Sequence, residues 1–351
     1  MKAMNSKIQK RPTIRDVAKL AGVSPSTVSF VINNTKGQTI SEETRERIID
    51  CAKQLGYRSS YSATRIRRGN ARTIAVLSSY RREALYFLDM INGVASETSA
   101  AGYGLIFCPC NREKEPRLCL DYYQEGRIDG VVFISSAHSE QDSMEKEYID
   151  FFQSNHIPFT VVYGYTRHDG ICYSNANMYA DGYNATRALI DRGCRSIQFI
   201  GALDKFNKAP YLPQTEQARR DGYLNAVHEA NLDGRVAYFP RSFRSSAHQE
   251  IIRQTLSLPA DAYFVCWATL GLQLLDLLRS MGLRIPQDVR VIAADTLPYL
   301  DYTVPSLSAI RVPFREMASY ATRALIQMLN GKNEAPKSIS FDGYLEIRDS
   351  I

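Results

Sequence analysis

Residues 13–33 read TIRDVAKLAGVSPSTVSFVIN, and the rest of the chain is organised around them. Ile14, Val17, Ala18 and Ala21 recur at helical spacing, which predicts a short amphipathic helix. Thr13 stands at its N-cap with Asp16 at the third helical position, the pairing of a capping box. Gly22 ends this helix, because glycine takes the left-handed C-cap conformation without a Cβ penalty. Ser24 then caps a second helix, with Pro25 at its first position, where a missing N–H costs nothing. Val23, Val28, Val31 and Ile32 form the buried side of that helix, and Ser26, Ser29, Phe30 and Asn33 its outer side. Two helices about a glycine turn, the second with a polar outer face broken by one aromatic, make a helix-turn-helix. The alternative is a plain surface hairpin, but such hairpins rarely combine both caps, the AGV turn and a polar outer face broken by one aromatic.

A third helix follows the polar loop NTKGQT. Ser41 caps it, Glu42 and Glu43 favour its positive end, Ile48, Ile49, Ala52 and Leu55 form its apolar stripe, and Gly56 closes it. The basic stretch RSSYSATRIRRGNART, 58–73, comes next. At helical spacing Tyr61, Arg65, Ile66 and Arg68 would share a short face. The stretch reads either as an ordinary tether or as a segment that folds on DNA, wedging Ile66 into a base step.

Charge follows the same division. The first 70 residues hold 14 Lys+Arg against 5 Asp+Glu, a net of +9 in a chain whose total is +6, so the remainder is slightly acidic at −3. A basic head is the electrostatic footprint of a polyanion binder, since neutralising phosphates releases counterions. The amino-terminal MKAMNSKIQKRP has no apolar run and no later stretch is long and apolar enough to span a bilayer, so neither signal peptide nor membrane partner is expected and the setting is read as cytoplasmic. Seven scattered cysteines argue against a disulfide framework. Cys108, Cys110 and Cys119 lack the second ligand pair of a zinc site and are read as core thiols.

From Thr73 the texture changes. TIAVLSS, YGLIFCP, IDGVVFISS, IPFTVVY, RSIQFIGA, AYFVCW and VRVIAAD are short apolar runs of the buried parallel kind, separated by helical patterns such as LYFLDMINGVASETSAAG and QLLDLLRSMG. Repeated βαβ units predict a doubly wound α/β body. Catalysis finds no footing: GxxxxGK, HExxH and GxSxG are all missing, and the five histidines have no evident acid or metal partner. No enzyme, cofactor or metal is expected.

The run TIRDVAKLAGVSPSTVSFVINN, then SEETRERI, LGY and an arginine-rich linker, resembles the LacI/GalR family of bacterial repressors. Spaced landmarks extend the resemblance through the body: IDGVVF at 128–133, IP at 157–158, ARRDGY at 218–223, GLRIPQDVRVIAADT at 282–296 and IR at 347–348. It implies a small all-α helix-turn-helix headpiece over 11–58, a hinge linker over 59–71, and an α/β two-lobed periplasmic-binding-protein-like domain of doubly wound parallel sheets over 72–351. Lobe 1 is expected at about 72–165 and 313–338, and lobe 2 at about 175–296 and 342–351, with crossings near 163–175, 296–313 and 338–342.

The resemblance also implies roles. Thr13, Ser24, Thr27, Ser29, Asn33 and Tyr57 match positions that meet phosphates or seat the headpiece, and Pro25, Ser26 and Phe30 those that read bases. Many relatives carry Arg where Phe30 stands; Phe offers only apolar contact, for instance to a thymine methyl. Ile66, with Arg65 beside it, replaces a leucine inserted at the central base step. In the cleft, Arg219 matches an arginine that grips ligand oxygens and Asp295 an acid that accepts sugar hydroxyls. Trp267 and Tyr163 depart from the usual Asn and Asp, Trp267 giving a flat face for a sugar ring; Ser136 and Phe243 are further candidates. The expectation is a dimeric repressor of a carbohydrate-utilisation operon, bound to palindromic double-stranded DNA and controlled by a sugar or glycoside. The alternative is the same DNA role under a protein corepressor or a non-sugar ligand.

Overall fold

The computed structural model describes residues 12–32, 35, 37–57, 70–78, 85–108, 115–135, 143–164, 169–203, 210–211, 213–242, 252, 256, 260–331 and 336–351. The chain divides into two compact units, 1–71 and 72–351.

The first unit is a three-helix head: α1 (Ile14–Ala21), α2 (Pro25–Ile32) and α3 (Glu42–Leu55). The Asp16 carboxylate accepts from the Thr13 N–H and hydroxyl, each at 2.7 Å, tying down the first turn of α1. Gly22 ends α1 in the left-handed region at φ 66°. The Ser24 hydroxyl accepts from the Thr27 N–H at 3.1 Å, and the Ser41 hydroxyl from the Thr44 N–H at 3.3 Å. Val17, Ala18, Ala21, Val28, Val31, Ile48 and Ala52 make the core of the unit, with Ile14, Val23, Leu55 and Tyr57 packed around it. Ile49 departs from the expected stripe of α3: it is 38% exposed, and Cys51 packs against the core instead, because the helix turns its stripe toward α1 and α2 rather than along a flat face.

The second unit holds two sheets. In the first, β1 (Thr73–Ser78), β2 (Gly104–Cys108), β3 (Gly130–Ile134), β4 (Phe159–Val162), β5 (Tyr173–Ala176) and β12 (Ile339–Phe341) run parallel in the order β12-β5-β4-β3-β1-β2. Helices α4 (Leu85–Ala100), α5 (Glu115–Gln124) and α6 (Ser143–Ser154) connect the first four strands. Both faces are covered, so β1, β3 and β4 are buried at every position: Ile74, Val76, Val132 and Val162 face one core, and Ala75, Leu77, Phe133 and Val161 the other.

The second sheet contains β6 (Ile197–Leu203), β7 (Pro210–Tyr211), β8 (Arg235–Phe239), β9 (Ala262–Val265), β10 (Arg290–Ala293), β11 (Ser308–Arg311) and β13 (Tyr344–Glu346). Its order is β13-β11-β10-β9-β6-β7, with β8 paired to β6; β13 and β7 run antiparallel to their neighbours. Helices α7 (Met178–Asp191), α8 (Gln214–Glu229) and α9 (Ala268–Ser280) flank it, while α10 (Phe314–Leu329) returns to the first sheet and packs on α4.

The chain therefore changes sheet between β5 and α7, between β11 and α10, and between β12 and β13. Three short segments expected within or beside the crossings are strands: 173–176 and 339–341 belong to the first sheet, and 308–311 to the second. YSNA, SAIR and ISF carry no sustained apolar run; their strand form comes from register with a partner distant in sequence.

Candidate functional site: a helix face in the head and strand ends in the body

In the head, the packing that buries Val28 and Val31 turns Ser24, Pro25 and Ser26 fully outward, with Thr27, Ser29 and Phe30 half-buried beside them. Thr13 is exposed and Tyr57 half-buried. These six residues of α2 and its N-cap present four hydroxyls, the Pro25 ring and the Phe30 ring, all at least partly exposed. Asn33, Arg65 and Ile66 lie outside the described residues.

In the body, the candidates gather at the carboxyl ends of parallel strands, where doubly wound sheets hold ligands. Tyr163 follows β4, Trp267 lies two residues past β9, and Asp295 two residues past β10. Tyr163 is buried, with φ 60°, an uncommon backbone for a bulky residue. Its position is clamped from β5: its N–H donates to the Ser174 carbonyl at 2.9 Å, and the Asn175 amide exchanges hydrogen bonds of 3.0 and 2.9 Å with Gly164. Its ring meets Phe314 edge-on at 5.5 Å, and Phe314 in turn stacks on Tyr86 at 4.8 Å.

Arg219 comes from α8, which is pressed unusually close to α7. A methyl group on Gly182 would overlap the Arg219 carbonyl, and one on Gly222 the Tyr179 carbonyl, so only glycine permits this approach. Arg219 and Glu216, one helical turn apart, are both 4% exposed and pair at 3.1 Å. The same Glu216 oxygen accepts from the Trp267 indole N–H at 2.9 Å, while Arg241 lies over the indole ring at 5.0 Å. Asp295 accepts from the Ala268 N–H at the start of α9. Asp181, wholly buried on α7, accepts from the Gly343 N–H at 2.9 Å, and Asn177 donates to Asp342 at 2.8 Å, so α7 is tied to the β12–β13 crossing.

The electrostatics of this cluster follow from burial. Desolvation raises the carboxyl pKa of Glu216 and of Asp295, with Arg219 opposing in both. Asp181 is pushed up to about 6 by burial, against the pull of Arg219 and the Gly343 N–H. Burial works against the charge of Arg219, but Glu216, Tyr163, Asp181 and Asp295 around it hold its pKa above the ordinary value. Burial likewise raises the Tyr163 phenol.

Beside the cluster lies a cavity of about 280 Å³, walled by Tyr163, Asn175 and Ser340 from the first lobe and by Met178, Gln214, Thr215 and Ala218 from α7 and α8. Of the expected effector residues, only Tyr163 is among its described lining; Arg219 and Trp267 are engaged with Glu216, and Asp295 with the Ala268 N–H. Ser136 and Phe243 lie outside the described residues. The sequence reading missed Glu216, Asp181, Asn175 and Phe314. Glu216 alone had a local signal, its spacing of three from Arg219 on a helix. Among the described residues no group of three His, Cys, Asp or Glu is placed to hold a metal ion, and no helix is long and apolar enough to cross a membrane.

A helix-turn-helix head followed by a two-lobed α/β body with candidate ligand residues at its strand ends defines a DNA-binding regulator. Family models give the same division: bacterial regulatory proteins of the lacI family over 13–60, the periplasmic binding proteins and sugar binding domain of LacI family over 71–239, and a periplasmic binding protein-like domain over 186–351. The HTH-type transcriptional repressor PurR of Escherichia coli O139:H28 is 31% identical over 346 residues, covering 97% of this chain and 96% of that protein. Its counterpart in Edwardsiella ictaluri is 30% identical over 348 residues, with the same coverage. Among solved structures, the lac repressor dimer bound to operator and the anti-inducer ONPF matches with a TM-score of 0.75 at 17% identity, over 97% of this chain and 99% of that one. A transcriptional regulator CelR–cellobiose complex matches at 0.65 and 24% identity, over 97% and 100%. These two structures share the fold. The chain belongs to the LacI family of bacterial regulatory proteins. It is a DNA-binding transcriptional repressor, a regulator and not an enzyme.

Proposed function

We propose that the protein represses a carbohydrate-utilisation operon as a homodimer on a near-palindromic operator, and that a small sugar or glycoside between the lobes sets its affinity for DNA. The observation that carries this reading is the cavity at the lobe crossings, walled by residues of both lobes and backed by the Tyr163–Arg219–Trp267–Asp295 cluster. A ligand there prefers one arrangement of the lobes, and preference between arrangements is what couples a ligand to a distant site. The CelR–cellobiose complex shows a sugar in a protein of the same fold and supports the choice of ligand class.

In the head, Ser24, Pro25, Ser26, Thr27, Ser29 and Phe30 meet the major groove and its phosphates, with Thr13, Asn33 and Tyr57 seating the helices. Arg65 and Ile66 act from the linker in the minor groove. One such head covers little DNA, so a two-fold pair reading two half-sites is the economical route to specificity. Leu88 at 59% exposure, with Leu105 and Phe107 at 37% and 38% on the edge strand β2, gives the first lobe an exposed apolar patch suited to that pairing.

The experiment is operator affinity measured across a carbohydrate panel, beside sedimentation of wild type and Leu88→Asp. A sugar that changes operator affinity in wild type and fails in Asp295→Ala supports the reading. A panel with no effect leaves regulation to a protein corepressor or a non-sugar ligand, and a wild type that sediments as a monomer on and off DNA removes the dimer.

A further inference from the structure

We infer that Glu216 is the specificity residue of the inter-lobe site: it supplies Arg219 with an internal counter-anion, so the site rejects anionic ligands such as phosphorylated sugars and takes neutral polyhydroxyl or amine-bearing ones. The inference rests on the reading of the inter-lobe cavity as the effector site and narrows its ligand class.

The geometry is specific. One Glu216 oxygen, Oε1, receives both Arg219 Nη1 at 3.1 Å and Trp267 Nε1 at 2.9 Å. Its other oxygen, Oε2, and Arg219 Nε are buried with no hydrogen-bond partner among the described residues, and the Cys266 thiol faces the same carboxylate as a weak donor. A buried carboxylate oxygen without a donor is costly and calls for a hydroxyl or ammonium hydrogen. An arginine left alone in a cleft draws phosphate or carboxylate through its fork. Here one arm of the fork, Nη1, is engaged with a side chain of its own helix, and the other carboxylates facing the guanidinium are Asp295 beyond β10 and Asp181 on α7. An incoming anion thus meets an arginine already neutralised, with carboxylates around it. The neighbouring Arg220 is no substitute, since it is paired with Asp221 at 3.0 Å. A ligand that donates hydrogen bonds meets acceptors instead, with the Trp267 ring held in place by the same carboxylate.

Trp267 is the chain's only tryptophan, so intrinsic fluorescence of the full-length protein reads this site directly. The probe is sodium sulfate against sodium chloride at matched ionic strength, because sulfate remains a dianion throughout. Wild-type emission is expected to respond no more to sulfate than to chloride. Glu216→Gln, which frees the fork, is expected to bind sulfate saturably and at least about tenfold more tightly than wild type, with the gain lost in Glu216→Gln/Arg219→Gln. Saturable sulfate binding by wild type overturns the inference, as does a folded Glu216→Gln that ignores sulfate.

Should Glu216→Gln lose its cooperative melt, wild type titrated at falling pH replaces it. The groups facing Glu216 are Arg219 on its own helix, Cys266 and Trp267 after β9, Asp295 after β10 and Tyr163 after β4. Burial raises the carboxyl pKa of Glu216 and of Asp295, and protonating them removes the counter-charge, so a sulfate response must emerge as the pH is lowered within the folded range, and a flat response there overturns the inference. A phosphorylated sugar that binds wild type beside Trp267 and alters operator affinity defeats the charge rule alone. A panel in which no sugar alters operator affinity defeats the effector reading and leaves the sulfate result standing.

Discussion

In the head, each helix start is fixed by a partner three residues away: Thr13 with Asp16, Ser24 with Thr27, Ser41 with Thr44. At the strand ends of the body, the separations are of another order. Ala268 and Asp295 are 27 residues apart, Trp267 and Glu216 51, and Asp181 and Gly343 162. The head is a local code that a short peptide carries within itself, whereas the site exists only after two sheets have assembled. The difference teaches where change is tolerated. A cap in the head acts through its own helix, but a side chain at the strand ends belongs to a network whose members fail together.

The largest effect is expected from removing the head. Deleting residues 1–60 should lower operator affinity by about a thousandfold or more in a gel-shift titration while the body keeps its cooperative melt, since specificity resides in the amino-terminal helices. An unaltered affinity would place DNA recognition elsewhere. Next in size is Arg219→Ala, which strands Glu216 as a buried charge and should destabilise the body by about 3–5 kcal/mol in urea melts; a loss below about 1 kcal/mol would mean that the pair is already hydrated.

Asp181 makes the stability of the body, and not of the head, depend on pH in mild acid. Its folded pKa of about 6 lies above its ordinary 3.8, so the folded state holds the proton more tightly than the unfolded chain. Stability from this group is full below about pH 4 and is lost as pH rises through about 6, on the order of 2–3 kcal/mol across that window. Asp181→Asn keeps an oxygen for the Gly343 N–H and should flatten that part of the pH–stability curve. A wild-type curve that climbs through the same window by that amount would reverse the assignment. The smallest effect belongs to the head: Ser41→Ala removes the acceptor for the Thr44 N–H and should cost the head about 1 kcal/mol in its thermal melt, with no change in the body.

Much of the fold was legible in advance because its signals are short-range or strongly periodic. The apolar runs from TIAVLSS to VRVIAAD became β1–β4, β6, β9 and β10; apart from the exposed edge strand β2, these are strands covered on both faces, and such strands are apolar nearly throughout. β5, β11 and β12 were not legible: their residues are mixed, and only a partner strand more than ten residues away makes them extended. The candidate site divides in the same manner. Tyr163, Trp267 and Asp295 stood out as residues at strand ends, yet nothing in their spacing told that Trp267 would donate to Glu216 or that Asp295 would hold the start of α9.

By itself the sequence determined a capped helix-turn-helix, a basic head on a slightly acidic body, and a series of βαβ units, because caps, net charge and hydrophobic period act between near neighbours or by simple sum. The tertiary structure alone decided where the chain changes sheet, which helices approach through Gly182 and Gly222, and that Arg219 is matched by Glu216 inside the fold. Those outcomes depend on which distant groups share a desolvated space, and the strength of a charge pair is set by that space rather than by the residues' order along the chain.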